Sequence, residues 1–326
     1  MQKNISRKIC LGITAILMTG ALLSGCGGAS KAPEKKQAAA PSVKKIVATY
    51  VQAPLNVPSI VEKQKGSFEN AFKAKNIPFE YSTITSGADQ TAALASGDIQ
   101  FLNCVGGSSV LLAASNGADI KILSLYSSAP KAFKLFGKKG INSPQDLKGK
   151  TIAGPKGTIL HELLAAYLKK GGLTMKDVKF VSMGLPAARS ALESGSADAA
   201  LLAGPLAYTA EKSGLHIITN GEGLVSGLTV TATSNKFYAA HKDLVDIFLN
   251  VQQETIKYLA ANQKEAIEMT AKATDLKPEA VKEMYPLYNF SMKVTPEAKA
   301  SLKSTQDFLV SSGMMEKKVD VDKLFF

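Results

Sequence analysis

The chain has no tryptophan, three cysteines and three histidines in 326 residues. Cys10, Cys26 and Cys104 are too sparse to form a disulfide framework. His161, His216 and His241 lie far apart, which excludes the tight Cys/His spacings of zinc sites. No cofactor and no metal is therefore expected. Arginine is almost missing too, and Arg189 is the only one after residue 25. Base or phosphate readout would draw on arginine, and no Lys/Arg-rich helix or aromatic–basic ribbon is visible. Nucleic acid is excluded as a partner on that ground. The apolar run at residues 9–23 has about 15 residues, short of the roughly 20 that a membrane-spanning helix needs.

That short run instead follows Lys3, Arg7 and Lys8, and ends in small residues. A basic start, a short apolar middle and a small-residue cut are the marks of a secretion signal. Leu23-Ser24-Gly25-Cys26 resembles the bacterial lipoprotein signal, which implies a lipidated Cys26 at the mature N-terminus. Residues 1–25 are thus expected to be a lipoprotein signal peptide. Residues 26–42 carry Gly, Ala, Ser, Pro and Lys without aromatic residues or apolar periodicity. Such a segment cannot bury enough surface to offset its ordering entropy, so a flexible tether is expected. The expected location is extracytoplasmic, with the membrane as a partner through the lipid. The formal charge of +12 falls with the signal, which removes three basic residues: 36 − 27 = +9. The remaining body is net basic and long enough for two lobes.

Along the body, strand and helix patterns alternate. Strands are expected at 45–50, 79–84, 99–105, 120–126, 132–137, 151–153, 178–182, 199–203, 216–219 and 228–233. Helices are expected at 58–75, 90–95, 108–115, 159–169 and 187–193, and then at 243–261, 264–273, 278–284 and 296–311. This order implies an α/β architecture with mostly parallel sheets. Cys104 falls within an apolar strand and reads as a buried core thiol.

An internal echo sharpens the picture. Ala93-Leu94-Ala95-Ser96-Gly97 recurs as Ala191-Leu192-Glu193-Ser194-Gly195, 98 residues later. Each copy follows a glycine-bearing turn, Thr85-Ser86-Gly87 or Gly184-Leu185-Pro186. Each precedes an apolar strand and then Gly106-Gly107 or Gly204-Pro205 at the same offset. Two similar lobes are implied. In open sheets of this kind ligands sit beyond the carboxyl ends of strands, where helix N-termini suit an anion. Gly106-Gly107-Ser108-Ser109, Lys156-Gly157-Thr158, Thr85-Ser86-Gly87 and Gly184-Leu185-Pro186 are four candidate helix starts. None has the glycine spacing of a phosphate-binding P-loop.

These segments carry a family resemblance. Thr85-Ser86-Gly87 leading to residues 93–99, then residues 146–153, residues 156–161, Asp177-Val178 and residues 191–199 are similar to substrate-binding proteins of bacterial ABC importers. The family handles sulfonates, nitrate, taurine and thiamine-precursor pyrimidines, and the likeness runs in order over about residues 43–234. It implies a periplasmic-binding-protein-like fold of type II, with two Rossmann-like lobes and a hinged cleft. Lobe one would be residues 43–130 plus 226–326, and lobe two residues 131–225. The resemblance further implies a monomer that closes on one small molecule, without transforming it, and docks on ABC permease subunits. Carried over by position, the ligand would lie near Gln52, Pro54, Ser86, Gly87, Gly107, Ser108, Thr158, His161, Gly184, Gly204 and Pro205. The absence of tryptophan departs from some nitrate and sulfonate binders.

Neutral donors at helix starts favour a small sulfonate or related anion, with a neutral pyrimidine as the alternative. His161 could donate to an anion or simply be a half-buried helix residue. Arg189 could clamp a sulfonate or sit on a solvated face. Tyr50, Tyr126 and Tyr208 are candidate walls or core packing. Pyrimidine-synthesising enzymes share the outline, but they carry a cysteine-rich segment and a reactive histidine. Only Cys104 is available here, and no nucleophile–base constellation is visible. A lipid-anchored sensor or adhesin is the third class.

Overall fold

The computed structural model describes residues 42–53 and 55–326. The expected signal peptide, most of the expected tether, Cys26 and Pro54 lie outside the described residues. Among those described, no helix is long and apolar enough to cross a membrane.

The fold is a mixed α/β fold of the periplasmic-binding-protein type II, with two lobes. The first sheet is built from β1 (Ile46–Thr49), β2 (Phe79–Ser82), β3 (Leu102–Gly106) and β4 (Lys121–Ser128). The chain then crosses to a second sheet of β5 (Phe133–Gly137), β6 (Thr151–Gly154), β7 (Lys179–Ser182), β8 (Ala199–Ala203) and β9 (His216–Asn220), in the order 7-6-8-5-9. It returns as β10 (Leu228–Thr233) and β11 (Asn289–Phe290), which complete the first sheet in the order 11-4-10-3. A parallel bridge from Ala48 to Phe101 joins the β1–β2 pair to that sheet.

The expectation of mostly parallel sheets needs correction. β6 runs parallel to β7 and β8, but β5 is antiparallel to β8 and β9, and β10 is antiparallel to β3 and β4. The reason lies in the crossovers. A strand arriving from the other lobe enters its sheet from the cleft side, so it runs against its neighbours. The two crossovers lie against each other. Ala129 N donates to Gly227 O at 3.2 Å and Ser128 Oγ to Ser226 O at 3.1 Å. Gly227, with φ of 61°, sits so close that a Cβ there would meet Pro130 N at 2.6 Å.

A second correction concerns residues 58–75, expected as one helix. Gly66 takes a left-handed φ of 61° and splits it into Val57–Lys65 and Ser67–Lys73. A glycine can adopt that conformation at no side-chain cost, and it caps the first helix through its N–H. Helices Gly204–Lys212 and Val321–Leu324 are additional to those expected, and Asn235–Ala240 opens the helical stretch that follows Ser234.

The 98-residue echo corresponds to one repeated unit. Helix Gly87–Ser96, β3 and helix Gly107–Ser115 match helix Leu185–Glu193, β8 and helix Gly204–Lys212. Gly97 and Gly195 follow the first helices at φ of 86° and 79°. Each sheet has its own apolar layer: Phe68, Phe72, Phe101 and Phe248 beside the first, Phe136, Leu192, Ala200 and Leu202 in the second. A polar network runs through the first lobe. Asn103 Nδ2 donates to Glu62 Oε2 at 2.9 Å, and Gln252 Nε2 donates to Asn103 Oδ1 at 2.8 Å. Burial raises the Glu62 carboxyl to about 7, against the lowering pull of Asn103 and Thr255. Helix Pro278–Met284 reaches across to the second lobe, where Glu283 pairs with Lys212 at 2.8 Å.

Candidate functional site

Between the two sheets lies a cavity of about 720 Å³, its open mouth included. The first lobe lines it with Val51 and Ala53 after β1, and with Thr85, Ser86, Gly87 and Gln90 after β2. Cys104, Gly106 and Ser109 follow at the end of β3, and Thr229 in β10. The second lobe adds Pro155, Thr158, Ile159 and Leu160 after β6, with Phe133, Leu185 and Ala203.

Four helix N-termini meet at this cavity. Their N-cap residues are Ser86, Gly106, Thr158 and Ala203, two from each lobe, and all four line it. Gly106, Thr158 and Ala203 make no side-chain cap bond, so the first-turn N–H groups of their helices lack that partner. Unpaired N–H groups and the partial positive charge of four helix starts favour an anion. Among the described residues no lining residue is charged, and most of the wall is apolar. Neutral donors therefore face an otherwise greasy pocket.

Cys104 enters the wall through a bulge. Val230 pairs with Val105 and Thr231 with Asn103, so Cys104 is the extra residue, at φ of 75°. A β-bulge leaves one residue unpaired and re-aims it. The thiol donates to Asn56 Oδ1 at 3.2 Å, and burial pushes it up to about 12. It is a wall group rather than a nucleophile.

Of the residues carried over by position, Ser86, Gly87 and Thr158 line the cavity. Thr158 Oγ1 already donates to Pro155 O at 2.9 Å, so its contribution there is the helix start behind it. Gly107 turns into the core, where a Cβ would meet Leu302 Cδ2 at 2.5 Å. Ser108 is buried and donates to Glu162 Oε2. Ser109, one position on, is the serine that lines the cavity. Successive residues of a helix point about 100° apart, so the pair cannot both face it. His161 is buried away from the cavity. Its ring stacks on Phe180 at 4.6 Å, and Nδ1 accepts from Gly157 N at 3.2 Å. Burial, with Lys156 nearby, lowers it to about 4, so it is neutral near pH 7. Gln52 is exposed and donates to Ala273 O instead. Gly184 is exposed at the rim, while its neighbour Leu185 lines the wall. Gly204 faces a separate hollow with Tyr208 and Tyr288, and Pro205 follows it in the same helix start. Pro54 lies outside the described residues.

Arg189 pairs with Glu193 at 2.8 Å on the surface of its helix. Tyr126 is buried with its hydroxyl 2.7 Å from Ser59 Oγ, and Tyr50 packs edge-on against Tyr81 at 5.7 Å. The aromatic in the cavity wall is Phe133, and Thr229 and Gln90 are further wall groups. These three carried no local signal, since each lies in an ordinary strand or helix pattern. Among the described residues, no cluster of His, Cys, Asp or Glu could hold a metal ion.

A two-lobed α/β fold with helix starts converging on an inter-lobe cavity defines the chain as a solute-binding type of fold. Residues 54–266 match the model of the family described as "NMT1/THI5 like". The chain belongs to that family. It is 30% identical over 320 residues to the "Putative aliphatic sulfonates-binding protein" of Bacillus subtilis (strain 168), covering 95% of this chain and 92% of the relative. It is 32% identical over 185 residues to the "Taurine-binding periplasmic protein" of Escherichia coli (strain K12), covering 55% and 57%. Its fold is similar to the alkanesulfonate-binding protein SsuA from Xanthomonas axonopodis pv. citri bound to MOPS. That likeness has a TM-score of 0.78 at 23% identity, covering 89% and 99% of the two chains.

Proposed function

We propose that this chain is the extracytoplasmic solute-binding component of an ABC importer, capturing a small anion such as an aliphatic sulfonate. The observation that carries this reading is the convergence of four helix N-termini on a cavity with no charged lining among the described residues. A sulfonate head would take the N–H and hydroxyl donors. Its uncharged tail would lie against Val51, Phe133, Ile159, Leu160 and Leu185. The names of the relatives, aliphatic sulfonates-binding and taurine-binding, support the same class of ligand. The protein binds and releases rather than catalyses: the cavity holds no nucleophile beside a base, and the relatives are named as binding proteins. Within the cavity, Ser86, Gly87 and Thr158 are proposed ligand contacts, together with Thr85, Ser109 and Thr229. The proposed lobes are 43–130 plus 226–326 and 131–225, closing about the paired crossovers. Permease subunits are the proposed partners.

Calorimetry with a matched pair tests the charge of the ligand. An alkanesulfonate is expected to bind at least about tenfold more tightly than its neutral sulfone, the ratio that about 1.4 kcal/mol produces. Equal affinity, or tight binding of an uncharged pyrimidine alone, would replace this reading by the heterocycle alternative. A second proposal is lipid anchorage at Cys26. Cys26→Ser should move folded protein from the membrane to the soluble fraction. Membrane retention equal to wild type would defeat it.

A further inference from the structure

Glu162 is a buried carboxyl group at the seam between the lobes, with no cation beside it among the described residues. It lies in the first turn of helix Ile159–Lys170, whose N-cap Thr158 and first two residues line the cavity. Its own side chain enters the seam with two helices of the first lobe, Gly107–Ser115 and Pro296–Ser311. There Oε2 accepts from Ser108 Oγ, and the Thr305 hydroxyl is near enough to pull against the burial of the carboxyl group. Glu162, Ser108 and Thr305 are only 3%, 2% and 5% exposed. Two more contacts run along the same seam. Ser109 Oγ donates to Gly157 O at 2.8 Å, and Lys169 Nζ donates to Ser311 Oγ at 3.4 Å.

We propose that Glu162 is a positioning residue that clamps the two lobes at the rim of the cavity and takes up a proton as they close. The proposal rests on the reading of the cavity as an anion site closed by lobe motion. In an opened seam the carboxyl group meets water and ionises in the ordinary range. In the closed seam it meets two hydroxyls, and ionisation would leave an uncompensated buried charge. A protonated carboxyl keeps an acceptor oxygen for Ser108 and gains a donor for Thr305.

The surrounding charges do not relieve that cost. Helix Gly107–Ser115 carries no charged residue. On Pro296–Ser311, Lys299 and Lys303 pair with Asp322, Asp307 pairs with Lys318, and Glu297 belongs to the capped first turn. On the strands beneath, Lys134 of β5 pairs with Glu211, and β8 has no charge. On its own helix, His161 is neutral, Lys169 reaches Ser311, and Lys170 is exposed in the last turn. Burial accordingly pushes Glu162 up to about 7, against the lowering effect of Ser108 and Thr305.

The sign follows from the raised value. Closure binds a proton wherever the open form is ionised and the closed form is not. Affinity then falls by about tenfold per pH unit between about pH 5 and about pH 7, and levels off above, where both forms are ionised. An alkanesulfonate keeps its charge throughout, and His161 stays neutral, so neither supplies this slope.

The test is calorimetry with ethanesulfonate in sulfonate-free buffers between about pH 5.5 and about pH 8, with an expected loss of at least about tenfold in the wild type. Glu162→Gln should flatten the profile to within about twofold and bind at about pH 8 at least as tightly as wild type. Ser108→Ala should weaken binding although Ser108 does not line the cavity. A flat wild-type profile shared by Glu162→Gln would overturn the clamp. If ethanesulfonate binds at no pH, the anion reading fails instead, and scattering from the ligand-free protein decides the clamp. A smaller radius at the acid end in wild type, lost in Glu162→Gln, supports it; no difference overturns it.

Discussion

Gly87→Val is expected to abolish ligand binding in a protein that still folds. Gly87 opens helix Gly87–Ser96 at the cavity wall and packs against the start of helix Gly107–Ser115. A Cβ at this position would lie 2.8 Å from Ser109 Cβ and closer still to its hydroxyl. Real side chains do not approach that closely, so Ser109 or the Gly87 backbone must move. Neither can move freely. Ser109 Oγ is held by the Gly157 carbonyl at 2.8 Å, and Gly157 belongs to the turn that opens the second lobe's helix. A valine would therefore fill the end of the cavity where the helix starts converge and also part the lobes at Ser109–Gly157. Overpacking of this kind costs about 1–3 kcal/mol of stability, which a domain of this size survives. Affinity for an alkanesulfonate should fall by about 100-fold or more, near 2.7 kcal/mol. Circular dichroism should show the fold retained while calorimetry shows no binding. Binding within about threefold of wild type would mean that this cavity is not the ligand site, since about 0.7 kcal/mol is too little for a blocked pocket.

Phe248→Ala should produce the largest loss of stability among single truncations of the first lobe. Phe248 is fully buried in helix Lys242–Ala261. Its ring stacks on Phe101 at 4.0 Å and on Phe68 at 4.3 Å, tying the helix to the residue that leads into β3 and to Ser67–Lys73. Phe68 in turn stacks on Phe79 of β2 at 4.8 Å, so the cluster reaches the start of the parallel pair. Truncation removes the shared ring of a closed aromatic layer whose neighbours are anchored on different elements and cannot collapse together. The expected cost is about 3–5 kcal/mol, the range for Phe→Ala in a well-packed core. Urea denaturation would read it as a lower midpoint. A loss below about 1 kcal/mol would show that the layer repacks. Ligand affinity should change little, because Phe248 does not line the cavity.

Much of the fold was legible because its elements are short and locally punctuated. Apolar strands end in Gly-Gly or Gly-Pro, and Gly97 and Gly195 end the helices at the two echo sites in left-handed geometry. The repeat spacing alone implied two equivalent lobes. The broken helix at Gly66 could have been read from the same rule, since a glycine inside an apolar pattern is a candidate C-cap. The antiparallel returns could not, because strand direction depends on which side of the sheet the chain re-enters.

At the site, the sequence by itself determined the kind of chemistry. Glycine, serine and threonine at helix starts point to neutral N–H and hydroxyl groups as the donors of the proposed anion site. It also determined where those starts fall along the chain. Tertiary structure decided which side chains meet the cavity. Ser109 faces it and Ser108 faces Glu162, although both stand in one motif. His161 turns onto Phe180, and Cys104 is brought into the wall by a bulge set against Val230 and Thr231. The physical reason is that local pattern specifies backbone state, whereas the direction of each side chain depends on how one lobe is laid against the other.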